Sequence, residues 1–255
     1  AMLAPAEYLD AKCTPPHDIS DRPIGEYLPK GAVGSVLLEL MEKSRAVFEN
    51  HPVNLKRISD GKKPVTQIWL WGQGKKPALP TMKDRFGLTG AVVTAVDLVK
   101  GIGLLLGLKV PVVEGVTGFV DTNYEGKADA VLEALHRLEF AYAHIEAPDE
   151  AGHIGDGELK RRAIEDVDRR FLKRLLDGLN TDPALQPYRL LLLPDHPTPI
   201  SIKTHIRKDV PYFLYDSRRD ERGTLSEFSE SAMQRYTGKR VPGFQLMDFL
   251  LERNG

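Results

Sequence analysis

Residues 146–157, EAPDEAGHIGDG, place four carboxylates and one histidine directly after the apolar run FAYAHI. Asp149 and His153 are four apart. On a helical turn or tight loop that spacing shares one face, so the pair can offer one oxygen and one nitrogen to a single cation. A solvated acidic loop with a capping Asp yields the same string. A second apolar run, RLLLL at 189–193, hands over through Pro194 to adjacent Asp195 and His196, and the following PTP stiffens the backbone because proline fixes its own φ and restricts its predecessor. An Asx-turn at a strand end is the alternative there. His205 follows in SIKTHIRKDVP, where by itself it reads as a surface histidine in a basic loop. Taken together, Asp149, His153, Asp195, His196 and His205 supply nitrogen and carboxylate ligands for most of a two-ion site. Mixed donors of this kind suit manganese, zinc or similar ions rather than calcium alone. Two ions about 4 Å apart are a standard clamp on the oxygens of a transferring phosphoryl group.

Such ligands have to be delivered by elements whose ends converge. Residues 1–30 are rich in proline and show no sustained period, so an extended connecting segment is expected. Over 31–49, Val33, Val36, Leu37, Leu40, Met41, Val47 and Phe48 recur at three and four, the pattern of an amphipathic helix that Asn50 and Pro52 end. Beyond GKKP at 61–64 short apolar runs alternate with helical segments. Strands are expected at 67–72, 90–96, 109–115, 140–145, 189–193 and 212–216. Helices are expected after Asp97 as N-cap, at 127–137, at 158–179 and over FQLMDFLLER near the end. This alternation predicts an α/β fold, a mostly parallel sheet with helices on both faces, and functional residues in such sheets gather past the carboxyl ends of strands. Trp69 and Trp71 read as sheet-packing residues, His144 as a core histidine, and His17, His51 and His136 as histidines without partners. Gly101, Gly103 and Gly107 fall inside a predicted helix, so a dinucleotide loop is excluded on context.

The 255 residues suffice for a sizeable core, and 35 basic against 36 acidic side chains leave no broad field to recruit nucleic acid or an anionic membrane. An anionic substrate must be held locally. The single cysteine, Cys13, excludes an internal disulfide framework and favours a cytoplasmic setting. Apolar stretches such as GLLLGLKVPVV fall short of the roughly 18–20 residues of a membrane helix.

APDEAGH, PDHPTP with a following TH, IWLWGQG, GLTGAVVTAVDLVKGIG and DTNYEGKA, in that set and running from about Thr14 onward, resemble the cofactor-independent (2,3-bisphosphoglycerate-independent) phosphoglycerate mutases of the archaeal type, members of the alkaline phosphatase superfamily. The resemblance implies an alkaline phosphatase-like domain over 65–255 and, over 1–64, the remnant of a second, inserted domain with a hinge at 61–64. It implies Asp149, His153 and His205 as ligands of one metal and Asp195 with His196 as part of the set for a second. Manganese is the expected ion, with zinc, cobalt or magnesium as alternatives. The implied activity is interconversion of 3-phosphoglycerate and 2-phosphoglycerate in glycolysis through a phosphoserine intermediate. Arg57 and Lys63, in the basic stretch HPVNLKRISDGKKP, are the candidates for holding substrate. In that family the nucleophilic serine and one metal-binding Asp precede the segment present here, so no serine is nominated. The chain is expected to act as a C-terminal portion, inactive alone and dependent on the N-terminal segment in a longer or companion chain. The other readings are a metal-dependent phosphatase or phosphodiesterase of the same superfamily, and a non-catalytic metal-binding module.

Overall fold

The structure is a computed structural model and describes residues 5–19, 21–219, 227–235 and 240–252. The chain divides into two compact units, Ala1–Pro77 and Ala78–Gly255. The first compact unit extends to Pro77, and hydrogen bonds hold its last residues to the rest of it. Asn54, buried in the helix Pro52–Ser59, donates to Phe48 O and Val65 O and accepts from Val65 N, while Arg57 Nε donates to Lys63 O. These bonds tie 61–64, expected as a hinge, and Val65 into the first unit. Further on, Ile68 N donates to Ser44 Oγ at 2.9 Å, Trp69 Nε1 donates to Thr14 O at 2.8 Å, and Gln73 Nε2 bonds Ala11 O. Residues 67–72 are not a strand: Ile68 N is answered by a side chain and the Trp69 indole by the N-terminal segment.

In that first unit α1 spans Gly34–Glu49 and α2 spans Pro52–Ser59. Leu37 and Met41, four apart, are the buried face of α1, whereas Val47 is 66% exposed, so the apolar stripe is only partly used. Pro52 does not simply stop α1; it opens α2 at a position where its missing N–H costs nothing, and His51 caps that helix by accepting from Val53 N. His17 also has a neighbour, the Trp71 ring, at a centroid distance of 5.2 Å.

The second unit opens with α3, Met82–Phe86, closed at its start by a reciprocal capping box between Thr81 and Asp84 and at its end by Gly87 in the left-handed region (φ 75°). Strand β1, Gly90–Val93, is fully buried and pairs in parallel with β2, Phe140–Ala143, in the register Gly90↔Phe140. On the other edge of β1 Lys109 alone bridges among the described residues, so the strand expected at 109–115 is reduced there to one pair. Successive β1 residues enter opposite layers: Val93 packs with Tyr124, Val131, Phe171 and Leu175, while Val92 packs with Met82, Phe86 and Leu108. A parallel strand buried on both faces by helices needs this unbroken apolar run.

Helix α4, Asp97–Leu105, lies so close to β1 that a Cβ on Gly103 would meet Val92 Cγ1 at 2.3 Å. Asp97 is its first residue rather than its cap, pairing instead with Lys100. Then come α5, Tyr124–Leu135, α6, Ala147–Ile154, and α7, Gly157–Asp166; a π-helical stretch Val167–Leu172 continues into α8, Lys173–Thr181. The long helix expected over 158–179 thus carries a wider turn, in which Phe171 enters the core. Strands β3, Arg189–Leu192, and β4, Phe213–Asp216, form an antiparallel pair in a fold expected to be mostly parallel. The connection between them holds four prolines and no helix, and a parallel crossover normally needs one. Short helices α9, Glu230–Gln234, and α10, Leu246–Leu250, complete the described elements. No helix among the described residues is long and apolar enough to cross a membrane.

Candidate metal centre

Helix α6 begins where β2 leaves the sheet, with Pro148 in its first turn and Gly155 (φ 82°) stopping it at two turns. This puts Asp149 and His153 on one face, with His153 Nε2 3.2 Å from Asp149 Oδ2. The third group comes from the proline-rich connection after β3. There Ile202 N and Lys203 N both bond Pro199 O, and Lys203 adopts a left-handed conformation (φ 58°), which folds the chain back over α6. His205 then lies with Nε2 3.4 Å from Asp149 Oδ1 and 3.0 Å from His153 Nε2. One ligand atom from each of Asp149, His153 and His205 falls within 4.8 Å of the others.

His153 Nδ1 sits 3.0 Å from Lys203 O. A carbonyl only accepts, so that nitrogen carries a proton, and in the neutral ring Nε2 offers its lone pair toward Asp149 and His205. A ring N–H donated to a backbone carbonyl, with the other nitrogen turned to a shared point, is how metal-bound histidines are held. The donors therefore fit a divalent ion of the manganese, zinc or cobalt kind.

Asp195 and His196 join the same neighbourhood. The His196 ring lies 3.8 Å from that of His205, centroid to centroid, and its Nε2 is 3.3 Å from Asp195 Oδ2. Charge crowding marks the place: burial, then Glu150 and Asp149, push the Glu146 carboxyl above its ordinary value, with Asp195 adding to the rise. A divalent cation held there would offset these charges beyond what Lys127 supplies. All five residues expected as metal ligands are thus brought to one end of the second unit. Arg57 and Lys63, the expected substrate holders, lie in the first.

Three neighbours escape a reading by motif. His144, taken as a core histidine, is half-buried beside the site, with Nδ1 3.3 Å from Thr94 Oγ1, and burial pulls its imidazole below the usual range against the opposing pull of Asp195. Lys127 is 1% exposed, with Nζ 3.5 Å from His144 O; burial drags its ammonium down to about 8, with Glu146 opposing. Thr198, 3% exposed, hydrogen bonds through Oγ1 to Asp149 Oδ1 and accepts at its carbonyl from Lys160 Nζ at 2.6 Å. The PTP string signalled rigidity but not that its threonine would face inward.

Gly152 explains how the proline loop comes so near α6. A Cβ there would stand 2.5 Å from Thr198 O and 2.9 Å from Lys160 Nζ. Gly152→Ala adds about 1 kcal/mol of helix propensity, yet forcing a backbone oxygen aside costs about 1–3 kcal/mol. A net loss of stability in urea denaturation is expected, and a variant more stable than the parent would show that the loop yields freely.

Comparison with known proteins agrees with the motifs. Residues 3–54 match the family model for 2,3-bisphosphoglycerate-independent phosphoglycerate mutase, and residues 29–253 match that of the Metalloenzyme superfamily. Curated relatives named 2,3-bisphosphoglycerate-independent phosphoglycerate mutase include one from Methanosarcina mazei, 45% identical over 95% of this chain and 61% of its own length. Another, from Methanothrix thermoacetophila, is 50% identical over 82% of this chain and 53% of its own. The chain thus spans about half to three fifths of the relatives it matches. Among solved structures, a protein from Pyrococcus horikoshii superposes with a TM-score of 0.67 at 28% identity, covering 86% of this chain and 56% of that one. A cofactor-independent phosphoglycerate mutase from Thermoplasma acidophilum gives 0.51 at 23% identity over 88% of this chain and 52% of that one, a likeness of fold. With an alkaline phosphatase-like fold, a cation-seeking cluster at its strand ends and a model match running through nearly the whole chain, the protein belongs to the Metalloenzyme superfamily.

Proposed function

We propose that this chain is the metal-holding portion of a phosphoglycerate mutase, an isomerase that interconverts 3-phosphoglycerate and 2-phosphoglycerate through a phosphoserine in glycolysis, in the cytoplasm. The observation that carries the reading is the meeting of Asp149, His153 and His205 at one point. The names of the relatives supply the substrate. In this reading Asp149, His153 and His205 hold one divalent ion, and Asp195 with His196 contributes to a second. Manganese is the preferred ion, with zinc, cobalt or magnesium as alternatives. Bound there, the ions would lower the pKa of a hydroxyl nucleophile and neutralise phosphoryl oxygens.

The protein's own side chains have the remaining tasks. His153 keeps a lone pair at Nε2 because Lys203 O fixes its proton at Nδ1. Asp149 spreads its two oxygens between both histidines. Arg57 and Lys63 are assigned to the substrate's carboxylate and phosphate. Arg57 uses Nε for Lys63 O, and the two other nitrogens of a guanidinium suit a bidentate grip on an anion.

The test supplies the purified chain with the part of the Methanosarcina mazei relative that it does not span, and follows 2-phosphoglycerate formation with and without manganese. Metal-dependent isomerisation that disappears with His153→Ala is expected. Hydrolysis of p-nitrophenyl phosphate without isomerisation would replace the reading with a phosphatase. Neither activity, with full metal binding, would leave a metal-binding module.

A further inference from the structure

Thr198 connects the two halves of the ligand set. Its Oγ1 bonds Asp149 Oδ1 and also lies 3.3 Å from His196 Nδ1. A hydroxyl has one proton, and an ionised carboxylate can only accept. The proton is therefore committed to Asp149, and contact with His196 is satisfied only if Nδ1–H donates to the hydroxyl oxygen. In the neutral ring this leaves the lone pair on Nε2, the nitrogen 3.3 Å from Asp195 Oδ2. A lone pair and a carboxylate oxygen face each other there, an arrangement that a cation between them resolves.

The hub is built, not incidental. Thr198 is 3% exposed, Lys160 Nζ holds its carbonyl at 2.6 Å, and Gly152 gives that carbonyl room to approach α6. Three elements, α6, α7 and the loop after β3, thus fix one hydroxyl between a ligand of each proposed ion.

We infer that Thr198 is a positioning residue: its hydroxyl orients Asp149 and sets the tautomer of His196, so that the two metal positions are prepared by one shared hydrogen-bond chain. The inference rests on the ligand assignment above and goes beyond it, since it concerns a residue that binds no metal.

The experiment uses the purified chain without metal at about pH 8, where imidazoles are neutral. Long-range proton–nitrogen correlation spectra report which ring nitrogen of His196 is protonated. Nδ1–H is expected in the parent and in Thr198→Ser, and a switch to Nε2–H in Thr198→Val, which fills the same space without a hydroxyl. Titration with manganese alone should show a Kd raised roughly ten- to hundredfold for Thr198→Val, with the serine variant close to the parent. A role in packing alone would leave Thr198→Val silent in both readouts. His196 protonated on Nε2 in the parent overturns the inference, as does parental metal affinity in Thr198→Val. If the parent binds no manganese, the ligand assignment fails, while the parent's tautomer, which needs no variant to fold, still decides the hydrogen-bond chain.

Discussion

Asp149→Asn is expected to abolish tight manganese binding, raising the dissociation constant by more than the roughly hundredfold that follows loss of an outer partner. The two oxygens of Asp149 meet both His153 and His205, at 3.2 and 3.4 Å. Asparagine keeps the shape but removes the negative charge, and its amide turns a donor toward histidine nitrogens that need a shared cation. His153→Ala should show the same loss. His136→Ala should not, because His136 pairs with Asp182 at 3.3 Å. Calorimetric titration with elemental analysis of the purified variants reads the effect directly. Unchanged metal content in Asp149→Asn would remove the ligand assignment, and the proposed function with it.

The second large effect is one of stability against pH. Burial lowers Lys127 from 10.5 to about 8. Between those values the unfolded chain holds a proton that the folded one has released, so stability rises with pH across that window and is lowest below about 8. For a side chain 1% exposed the full rise is roughly 3 kcal/mol. Other lysines and tyrosines titrate there too, and Lys127→Met isolates this one by filling similar space without a charge. Urea denaturation at pH 7 and pH 10 should show the parent gaining on the variant by that order. A difference that stays flat would mean that the Lys127 ammonium keeps an ordinary proton affinity, despite its place between His144 O and Glu146.

These effects have different origins in the sequence. The ligands were legible as types at strand exits, because apolar runs such as FAYAHI and RLLLL end abruptly in Asp and His. Lys127 was not. Within DTNYEGKA it looks like any helix-surface lysine, and its burial arises only because α5 packs against β1 and β2 with that face inward. His144 shows the same limit: an apolar strand explains its burial, but not that Asp195, fifty-one residues on, would lie near enough to pull on its proton.

Secondary structure divides along similar lines. Helix α1 and strands β1 to β4 lie within or nearly within the expected segments, since their periods and boundaries are local. IWLWGQG is the instructive failure: its apolar alternation is that of a strand, yet Ile68 N bonds the Ser44 hydroxyl, and Trp69 and Gln73 reach Thr14 O and Ala11 O through their side chains. A strand is a pairing, and pairing is decided by what lies alongside.

The sequence by itself determined the donor types, the spacing of Asp149 and His153, the proline-stiffened loop and the alternation of strand and helix, because each is a property of neighbours along the chain. Only the tertiary structure decided that His205 folds back over α6, that Thr198 stands between Asp149 and His196, and that β3 and β4 run antiparallel. Those outcomes depend on contacts between residues from 21 to 56 positions apart. Their formation rests on a glycine with no side chain, a left-handed lysine and one buried hydroxyl, features whose effect is spatial before it is chemical.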